Sequence, residues 1–329
     1  MSSFAPVYLS LFSTGELAKR AERLTARMAS CDICPRRCGV PRLSGVLGFC
    51  NSGSLPIVSS YCAHNGEEPV LSGTRGAGAV FFGNCNLHCV FCQNYQISHD
   101  PAHQKTHEVG ADRLAEIMLT LQAQGCHNIN LVSPSHFTPC ILQALALAVP
   151  QGLSIPLVYN TNAYDSLATL QELDGVIDIY LPDLKYASDE NAEKYSQVHH
   201  YTQTARVAIK EMFRQVGELQ TNEDGIAKRG VIVRHLILPH DLAGTDASLQ
   251  WLAREVSPNI TVSLMSQYHP TYQASRYNEL SQPISVVEYY AAESSLAEAG
   301  IENGWIQDLA APDSYLPDFT RPGHPFETT

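Results

Sequence analysis

At 329 residues the chain is long enough for one large α/β barrel-type domain with additional segments, and its 44% hydrophobic and 16% charged residues exclude a disordered chain. The formal net charge of −12 disfavours a broad phosphate-binding surface, so we expect no nucleic-acid partner. The sequence has neither a signal-peptide pattern nor an apolar run of about 18 residues, which predicts a cytoplasmic protein with no membrane partner.

The N-terminal part of the sequence combines a short helix with a segment that has little periodicity. We predict the helix over residues 15–28, and the residues that follow, to about 75, are rich in Gly, Pro, Ser and Cys. A segment of this composition needs a cross-link to hold its shape. We therefore assign residues 1–74 to an N-terminal helix and a cysteine-rich, metal-stapled segment.

From Gly78 onward, short apolar runs alternate with segments of helical periodicity. Six runs are predicted to be strands, at 79–82, 129–132, 155–159, 176–181, 231–238 and 260–265. Helices are predicted between and after them, at 112–124, 139–148, 165–173, 192–216 (one or two helices), 246–256 and 286–299. Asp112 is the predicted N-cap of the first of these helices, and Gly125 is its predicted end.

Alternating strands and helices build right-handed βαβ units and a parallel sheet, either open or curled into a barrel. Six units suit a partial barrel. We predict an α/β fold, a partial (β/α)6 TIM-type barrel over residues 75–270, and a C-terminal helix and tail over 271–329 that pack on it.

The cysteines are concentrated in one part of the sequence. Ten cysteines in a reducing cytoplasm indicate metal or redox chemistry rather than disulfides, and eight of them lie between Cys31 and Cys92. Cys126 and Cys140 stand alone in apolar segments and are predicted to be buried core thiols.

Three of these cysteines follow the first predicted strand directly, in a loop where parallel α/β folds bind ligands; they are Cys85, Cys89 and Cys92. Closely spaced thiolates select zinc or iron–sulfur clusters, and a structural zinc site takes four ligands. The upstream group already supplies four by itself: Cys31, Cys34, Cys38 and Cys50. The loop is left with three thiols, which on a cubane cluster would leave one iron open for an exchangeable ligand.

The spacing Cys-x3-Cys-x2-Cys, with Phe91 before the last cysteine, resembles the defining motif of the radical S-adenosylmethionine (SAM) enzymes. The longer stretch 75–94, which ends in Gln-Asn, is similar to the activating enzymes of glycyl radical enzymes, in particular the pyruvate formate-lyase activating enzyme-like branch. The resemblance spans roughly residues 75–265. It implies an iron–sulfur oxidoreductase that holds a [4Fe-4S] cluster on the three loop cysteines and SAM on the open iron. It also implies reductive cleavage of SAM to a 5′-deoxyadenosyl radical that abstracts hydrogen from a substrate.

The resemblance also implies residues that bind the cofactor. Phe91 would lie near the adenine, and the sequence Asp183-Leu184-Lys185 matches an Asp-Leu-Lys in which the aspartate helps to hold a cation and the lysine faces SAM. The alternative for Asp183 and Lys185 is a surface ion pair at a strand end. The activating enzymes carry Gly-Gly-Glu after the second strand. This chain has Ser133 there, and the hydroxyl of Ser133 can act as an acceptor. They carry Asp-Thr-Asn-Gly after the third strand. The corresponding segment of this chain begins with Asn160 in place of the aspartate.

Other residues keep more than one interpretation. The four upstream cysteines either hold zinc, hold a second iron–sulfur cluster or are empty. Cys62 and His64 border that cysteine site or the mouth of the active site. The alternative is that Cys62 is a buried thiol and His64 is a solvated histidine. His136 is either a proton-transfer group or a loop histidine.

Three functions remain open on the sequence alone. The first is a radical SAM enzyme that acts on a glycine of a partner enzyme, and the second is a radical SAM enzyme that acts on a small molecule or a non-glycyl protein target. Both need a low-potential electron donor such as a flavodoxin or ferredoxin. The third is a zinc-stapled binding module without enzymatic activity.

Overall fold

The centre of the fold is a mostly parallel β-sheet, seen in a computed structural model that describes residues 4–309, 316–321 and 324–326. The strands in the described residues are β1 (Val58–His64), β2 (Ala77–Phe82), β3 (Ile129–Val132), β4 (Leu157–Thr161), β5 (Ile179–Pro182), β6 (Gln220–Thr221), β7 (Ala227–Leu236), β8 (Thr261–Met265) and β9 (Gly304–Ile306). Their order is β1-β2-β3-β4-β5-β7-β8-β9, and β6 pairs with β7 alone. β1 and β6 are antiparallel to their partners, whereas all other neighbours run parallel.

The six predicted strands are confirmed as β2, β3, β4, β5, β7 and β8, which pair in chain order. Every residue of β2, β3, β4, β5 and β8 is buried. Continuous burial is typical of parallel strands that helices cover on one face and a barrel interior covers on the other. The α/β class and the partial (β/α)6 barrel are therefore confirmed, with β1 and β9 as the edges of the open sheet.

The helices of the described residues alternate with the strands. They are α1 (Tyr8–Ser13), α2 (Glu16–Arg27), α3 (Pro69–Ser72), α4 (Tyr95–Ser98), α5 (Pro101–Gln104), α6 (Ala111–Ala123), α7 (Thr138–Ala148), α8 (Leu167–Glu172), α9 (Asp189–Ser196), α10 (Tyr201–Val216), α11 (Thr245–Glu255) and α12 (Val286–Glu298). The predicted helix at 192–216 is two helices, α9 and α10. None of the described helices has the combination of length and apolarity that crossing a membrane requires.

The predicted N-cap of α6 is wrong. Gly110 occupies the N-cap position and makes no side-chain cap, and Asp112 lies inside the first turn, where its carboxylate favours the positive end of the helix. The predicted end is correct, because Gly125 follows the helix with a φ of +91°.

Two strands lie outside the predicted set. β1 pairs antiparallel with β2, and β9 extends the far edge beside β8. The division that we placed at residue 74 therefore falls between two paired strands of one sheet.

The N-terminal helices are anchored to the amino-terminal ends of the strands. Asp178 accepts hydrogen bonds from the backbone N–H groups of Val7 and Leu157, each at 2.9 Å, and Tyr8 donates its hydroxyl to Ile155 O at 2.8 Å. α2 packs on α7 and buries one face, made of Leu17, Ala21 and Leu24. These contacts join the N-terminal segment to the main hydrophobic core.

The two isolated cysteines lie in that core. Cys126 and Cys140 are both buried within the largest hydrophobic cluster, so the prediction for them is confirmed.

Candidate active site

The three-cysteine loop leaves the carboxyl end of β2 through a tightly packed glycine. A Cβ added at Gly83 would lie 2.5 Å from Ile57 Cγ2 and 2.6 Å from Gln104 Oε1. The next residue, Asn84, has a left-handed backbone with a φ of +62°. The loop therefore starts in a conformation that close packing and backbone geometry fix together.

Each sulfur of the loop takes part in a hydrogen bond. Leu87 N–H donates to Cys85 Sγ (3.4 Å), Ser196 Oγ donates to Cys89 Sγ (2.9 Å), and Cys92 Sγ shares a hydrogen bond with Ser98 Oγ (3.2 Å). Hydrogen bonds to cysteine sulfur tune and stabilise thiolates that bind a metal cluster. These hydrogen bonds favour sulfurs that carry negative charge.

Burial keeps the free thiols of the loop protonated. It raises the pKa of Cys85 to about 12 and that of Cys92 to about 11, and it also raises the pKa of Cys89, against the opposing effect of Lys185. Because a cluster binds thiolates, its binding would release these protons.

One cavity brings together all the residues that we predicted to surround the cluster and SAM: Cys85, Cys89, Phe91, Cys92, Ser133, Asn160, Asp183 and Lys185. They come from the carboxyl ends of β2, β3, β4 and β5. This is the edge of a parallel sheet at which ligands bind, because the connecting loops meet there. Among the described residues, the four upstream cysteines are not part of the cavity wall.

An ionic network fixes the floor of the cavity. Asp183 lies 2.8 Å from Lys185 Nζ and 2.7 Å from Arg234 Nε, and Arg234 donates to Asn160 Oδ1 at 2.7 Å and faces Glu67 Oε2 at 3.4 Å. Burial alone would raise the pKa of Asp183, but Arg234 and Lys185 outweigh burial and hold that pKa below its usual value. Burial would lower the pKa of Lys185, and Asp183 reverses that effect. The ion pair that we considered at this strand end is present, but its placement on the surface is wrong, because both side chains are largely buried.

Arg234 and Glu67 were not predicted from the sequence. Arg234 is the one arginine in the otherwise largely apolar stretch Val-Ile-Val-Arg-His-Leu-Ile-Leu of β7 and the residues that follow it, and this is the signal that could have identified it. Glu67 lies in the loop after β1, a strand that the sequence did not predict.

An aromatic lid lies at the mouth of the cavity. His64 is only 6% exposed, and its ring stacks on Phe326 with the centroids 4.2 Å apart; both rings line the cavity. Burial, followed by the nearby His324, lowers the pKa of His64 to about 4. The interpretation of His64 as a solvated histidine is therefore wrong, and His64 lines the same cavity as the three loop cysteines.

Phe91 and His136 have different surroundings. Phe91 is buried, and its ring makes edge-to-face contacts with Tyr268 and Tyr186 at 5.9 and 6.4 Å. His136 is fully buried behind the cysteine loop, shares a 3.1 Å hydrogen bond with Gly83 O, and has a pKa that burial lowers to about 3. His136 therefore contacts the start of the cysteine loop, and it is not among the described residues that line the cavity.

The four upstream cysteines share a second region. Burial raises the pKa of Cys34 to about 12, and the neighbouring thiols Cys50, Cys31 and Cys38 raise it further. Cys38 is exposed, whereas the other three are buried. Across the described residues, no group of three or more His, Cys, Asp or Glu side chains is arranged to hold a metal ion. Metal binding at either cysteine group would therefore require side-chain rotation on the loops that bring the thiols together.

Comparison with known proteins identifies one relative. The sequence matches no family model. It is 30% identical over 270 residues to an uncharacterized protein of Methanocaldococcus jannaschii, and the match covers 79% of this chain and 72% of the relative. A domain of a pyruvate-formate lyase-activating enzyme from Bacteroides vulgatus matches 60% of this chain and 91% of its own length, with 13% identity and a TM-score of 0.34. A structural likeness this low carries no conclusion about function.

Proposed function

This chain belongs to the same family as the uncharacterized protein of Methanocaldococcus jannaschii, and for this member of the family we propose the activity of a radical SAM enzyme. One observation supports the proposal above all. The three cysteines of the loop after the first parallel strand open into the same cavity as Phe91, Asp183 and Lys185. A resemblance in sequence alone would not require residues so far apart in the chain to meet.

The residues present fit the [4Fe-4S] cluster that this proposal needs. Three thiols line the cavity, each sulfur has a hydrogen-bond partner, and the cation of Lys185 lies close enough to favour the thiolate forms of Cys85, Cys89 and Cys92. Each thiolate of a cubane binds a different iron, so three ligands leave one iron for SAM. When bound, the cluster supplies a low-potential electron and SAM supplies a 5′-deoxyadenosyl radical.

The side chains around the cavity have separate tasks in this proposal. Phe91 gives the adenine an apolar wall, Ser133 offers a hydroxyl acceptor to the ammonium group of SAM, and Lys185 offers a cation to its carboxylate. Asn160 is already bonded through Oδ1 to Arg234 and, more weakly, through Nδ2 to Glu67, so it acts by positioning Arg234.

Asp183 has a related role. Because both of its oxygens are taken by Arg234 and Lys185, it holds the two cations at the floor of the cavity. At the other end, the stack of His64 and Phe326 keeps water out of the site.

The target of the hydrogen abstraction has two candidates, a glycine of a partner enzyme and a small molecule or other protein. Both need an electron from a flavodoxin or ferredoxin. Incubation with candidate glycyl radical enzymes, followed by electron paramagnetic resonance, separates them, because only the first yields a stable glycyl radical on the partner.

The activity itself is tested by anaerobic reconstitution with iron and sulfide, reduction in the presence of SAM, and quantification of 5′-deoxyadenosine. We expect wild-type protein and the Cys126→Ser control to form this product, and Cys92→Ser to form none. An intact cluster that leaves SAM uncleaved would overturn the proposal. So would a colourless protein that holds only zinc after reconstitution.

A further inference from the structure

We propose that the cysteine-rich segment holds a second metal centre, a four-thiolate site formed by Cys31, Cys34, Cys38 and Cys50. The centre lies outside the cavity and does not depend on the function proposed above. Its ligands come from two turns, and two arginines provide a compensating charge.

The two turns face each other at close range. Cys31 N–H donates to Val40 O at 3.0 Å and closes the turn that carries Cys34 and Cys38. A Cβ added at Gly48, two residues before Cys50, would lie 2.6 Å from Cys38 Sγ. The backbone of the second turn therefore packs against a sulfur of the first, and a larger residue at position 48 would displace that sulfur.

Arg42 is a buried cation whose described hydrogen-bond partners are all neutral. It is 1% exposed, and its guanidinium donates to Gly53 O at 3.0 and 2.6 Å and to His136 O at 2.8 Å. Its Nη1 also lies 3.8 Å from Cys31 Sγ. No ion pair of Arg42 with a carboxylate occurs in the portion of the chain that the structure covers. An uncompensated buried charge destabilises the folded state, so a negative group beside this guanidinium would stabilise it. A metal-bound thiolate of Cys31 supplies that group.

Arg36 is a second cation of the same kind. It donates to Asn86 O at 3.0 Å and to Gln197 O at 2.6 Å, and its guanidinium carbon lies 3.5 Å above the ring of Phe49. All of these partners are neutral. Within residues 4–309, 316–321 and 324–326, no carboxylate pairs with Arg36, which lies two residues from both Cys34 and Cys38 in the first turn.

The charges of such a centre balance. A divalent core bound by four thiolates carries two net negative charges, whether the core is a zinc ion or a [4Fe-4S] cluster. Arg36 and Arg42 carry two positive charges. Since Asn86 lies between Cys85 and Cys89 of the active-site loop, Arg36 also connects this centre to the cavity.

The test uses a variant in which the active-site thiols are removed by Cys85→Ala, Cys89→Ala and Cys92→Ala. After anaerobic reconstitution we expect it to retain one zinc ion per chain, or iron with labile sulfide in the ratio of a second cluster. Adding Cys31→Ser and Cys34→Ser should remove that metal, and adding Cys126→Ser and Cys140→Ser should not. Arg42→Met should weaken metal affinity by about 10- to 100-fold, as expected for a group that supports metal ligands.

A measurement on the wild-type protein avoids any effect of the variants on folding. Cys38 is exposed, so an empty site would let it react at once with an alkylating reagent, as mass spectrometry of the labelled peptide would show. We expect Cys38 to be protected until a chelator is added. Immediate alkylation of Cys38, or a folded Cys85/Cys89/Cys92 variant without metal, would overturn this proposal and leave the cleavage of SAM untouched.

Discussion

Asp183 shows how single residues organise this cavity. Its carboxylate lies between Lys185 and Arg234, and all three side chains are largely buried. Taking charged groups out of water is costly, and removing one member of a buried pair leaves the others uncompensated. The network therefore orients cations toward the cavity at some expense in stability.

We predict that Asp183→Asn lowers the free energy of unfolding by about 1–3 kcal/mol, because Lys185 then loses its counter-ion and Arg234 keeps only the more distant carboxylate of Glu67. Urea denaturation measures this change. The control is Asp174→Asn, which breaks an exposed pair with Arg214 and should cost less than about 0.5 kcal/mol. Equal losses in the two variants would contradict a buried network.

For single residues, a sequence motif identifies side chains that are close in sequence, but it does not identify the partners that the fold brings next to them. Asp183 and Lys185 could be proposed from a tripeptide. Arg234 lies 51 residues after Asp183 and reaches it because β5 and β7 are neighbours. No local pattern encodes that contact.

The element that holds the cysteine loop is the end of β2. We predict that Gly83→Ala overpacks this position, since the added methyl meets Ile57 and Gln104, and that it lowers the free energy of unfolding by about 1–3 kcal/mol. Displacement of the loop should also reduce the iron content after reconstitution. Gly53→Ala is the matched control, because the nearest atom to its added Cβ is 3.8 Å away. Wild-type iron content and stability in Gly83→Ala would show that the loop does not depend on this packing.

The attachment of α1 to the sheet makes stability depend on pH. Burial raises the pKa of Asp178 from 3.8 to about 7, despite the hydrogen bonds from Leu157 and Val7 that favour the ionised form. The pKa of Asp178 is higher in the folded state than in the unfolded state. The stabilisation that comes from protonated Asp178 is therefore complete below about pH 4 and is lost as the pH rises to about 7.

We expect Asp178→Asn, which stays neutral, to lack this decline between about pH 4 and 7. The difference between the pH profiles of the two proteins should reach about 2–4 kcal/mol. Thermal unfolding at a series of pH values measures it. Parallel profiles would mean that Asp178 does not titrate in this range.

Buried strands were the most predictable elements. β3 and β8 are short apolar runs with every residue covered, so the composition of each segment identifies it. β1 has the sequence Val-Ser-Ser-Tyr-Cys-Ala-His, which shows neither a continuous apolar run nor a regular alternation, and four of its seven residues are partly exposed although it pairs with β2. β9 has three residues and is held by β8. Such edge strands depend on tertiary pairing, which the local sequence does not encode.

At the scale of the whole molecule, C-terminal residues close a cavity built by the barrel. Phe319 N–H donates to Gln96 Oε1 at 2.8 Å, and His324 Nε2 lies 3.2 Å from Ala63 O. These contacts place Phe326 on His64 at the cavity mouth. A residue of β1 and a residue of the C-terminal segment therefore line the same cavity.

We predict that Phe326→Ala opens the mouth and makes the reconstituted cluster several-fold more sensitive to air, because water and oxygen then enter the cavity. The decay of visible absorbance after exposure to air measures this. Phe12→Ala, which truncates an exposed phenylalanine of α1, should decay at the wild-type rate. Identical rates in all three proteins would argue against a closing role for Phe326.

The central claim is that the three cysteines of the cavity leave one iron for a ligand from outside the chain. Electron paramagnetic resonance of the reduced, reconstituted protein, recorded with and without SAM, tests it most directly, with the Cys31→Ser and Cys34→Ser variant removing any signal from a second cluster. We predict a cluster spectrum whose g values shift when SAM is added. A cluster spectrum that SAM leaves unchanged would contradict the claim.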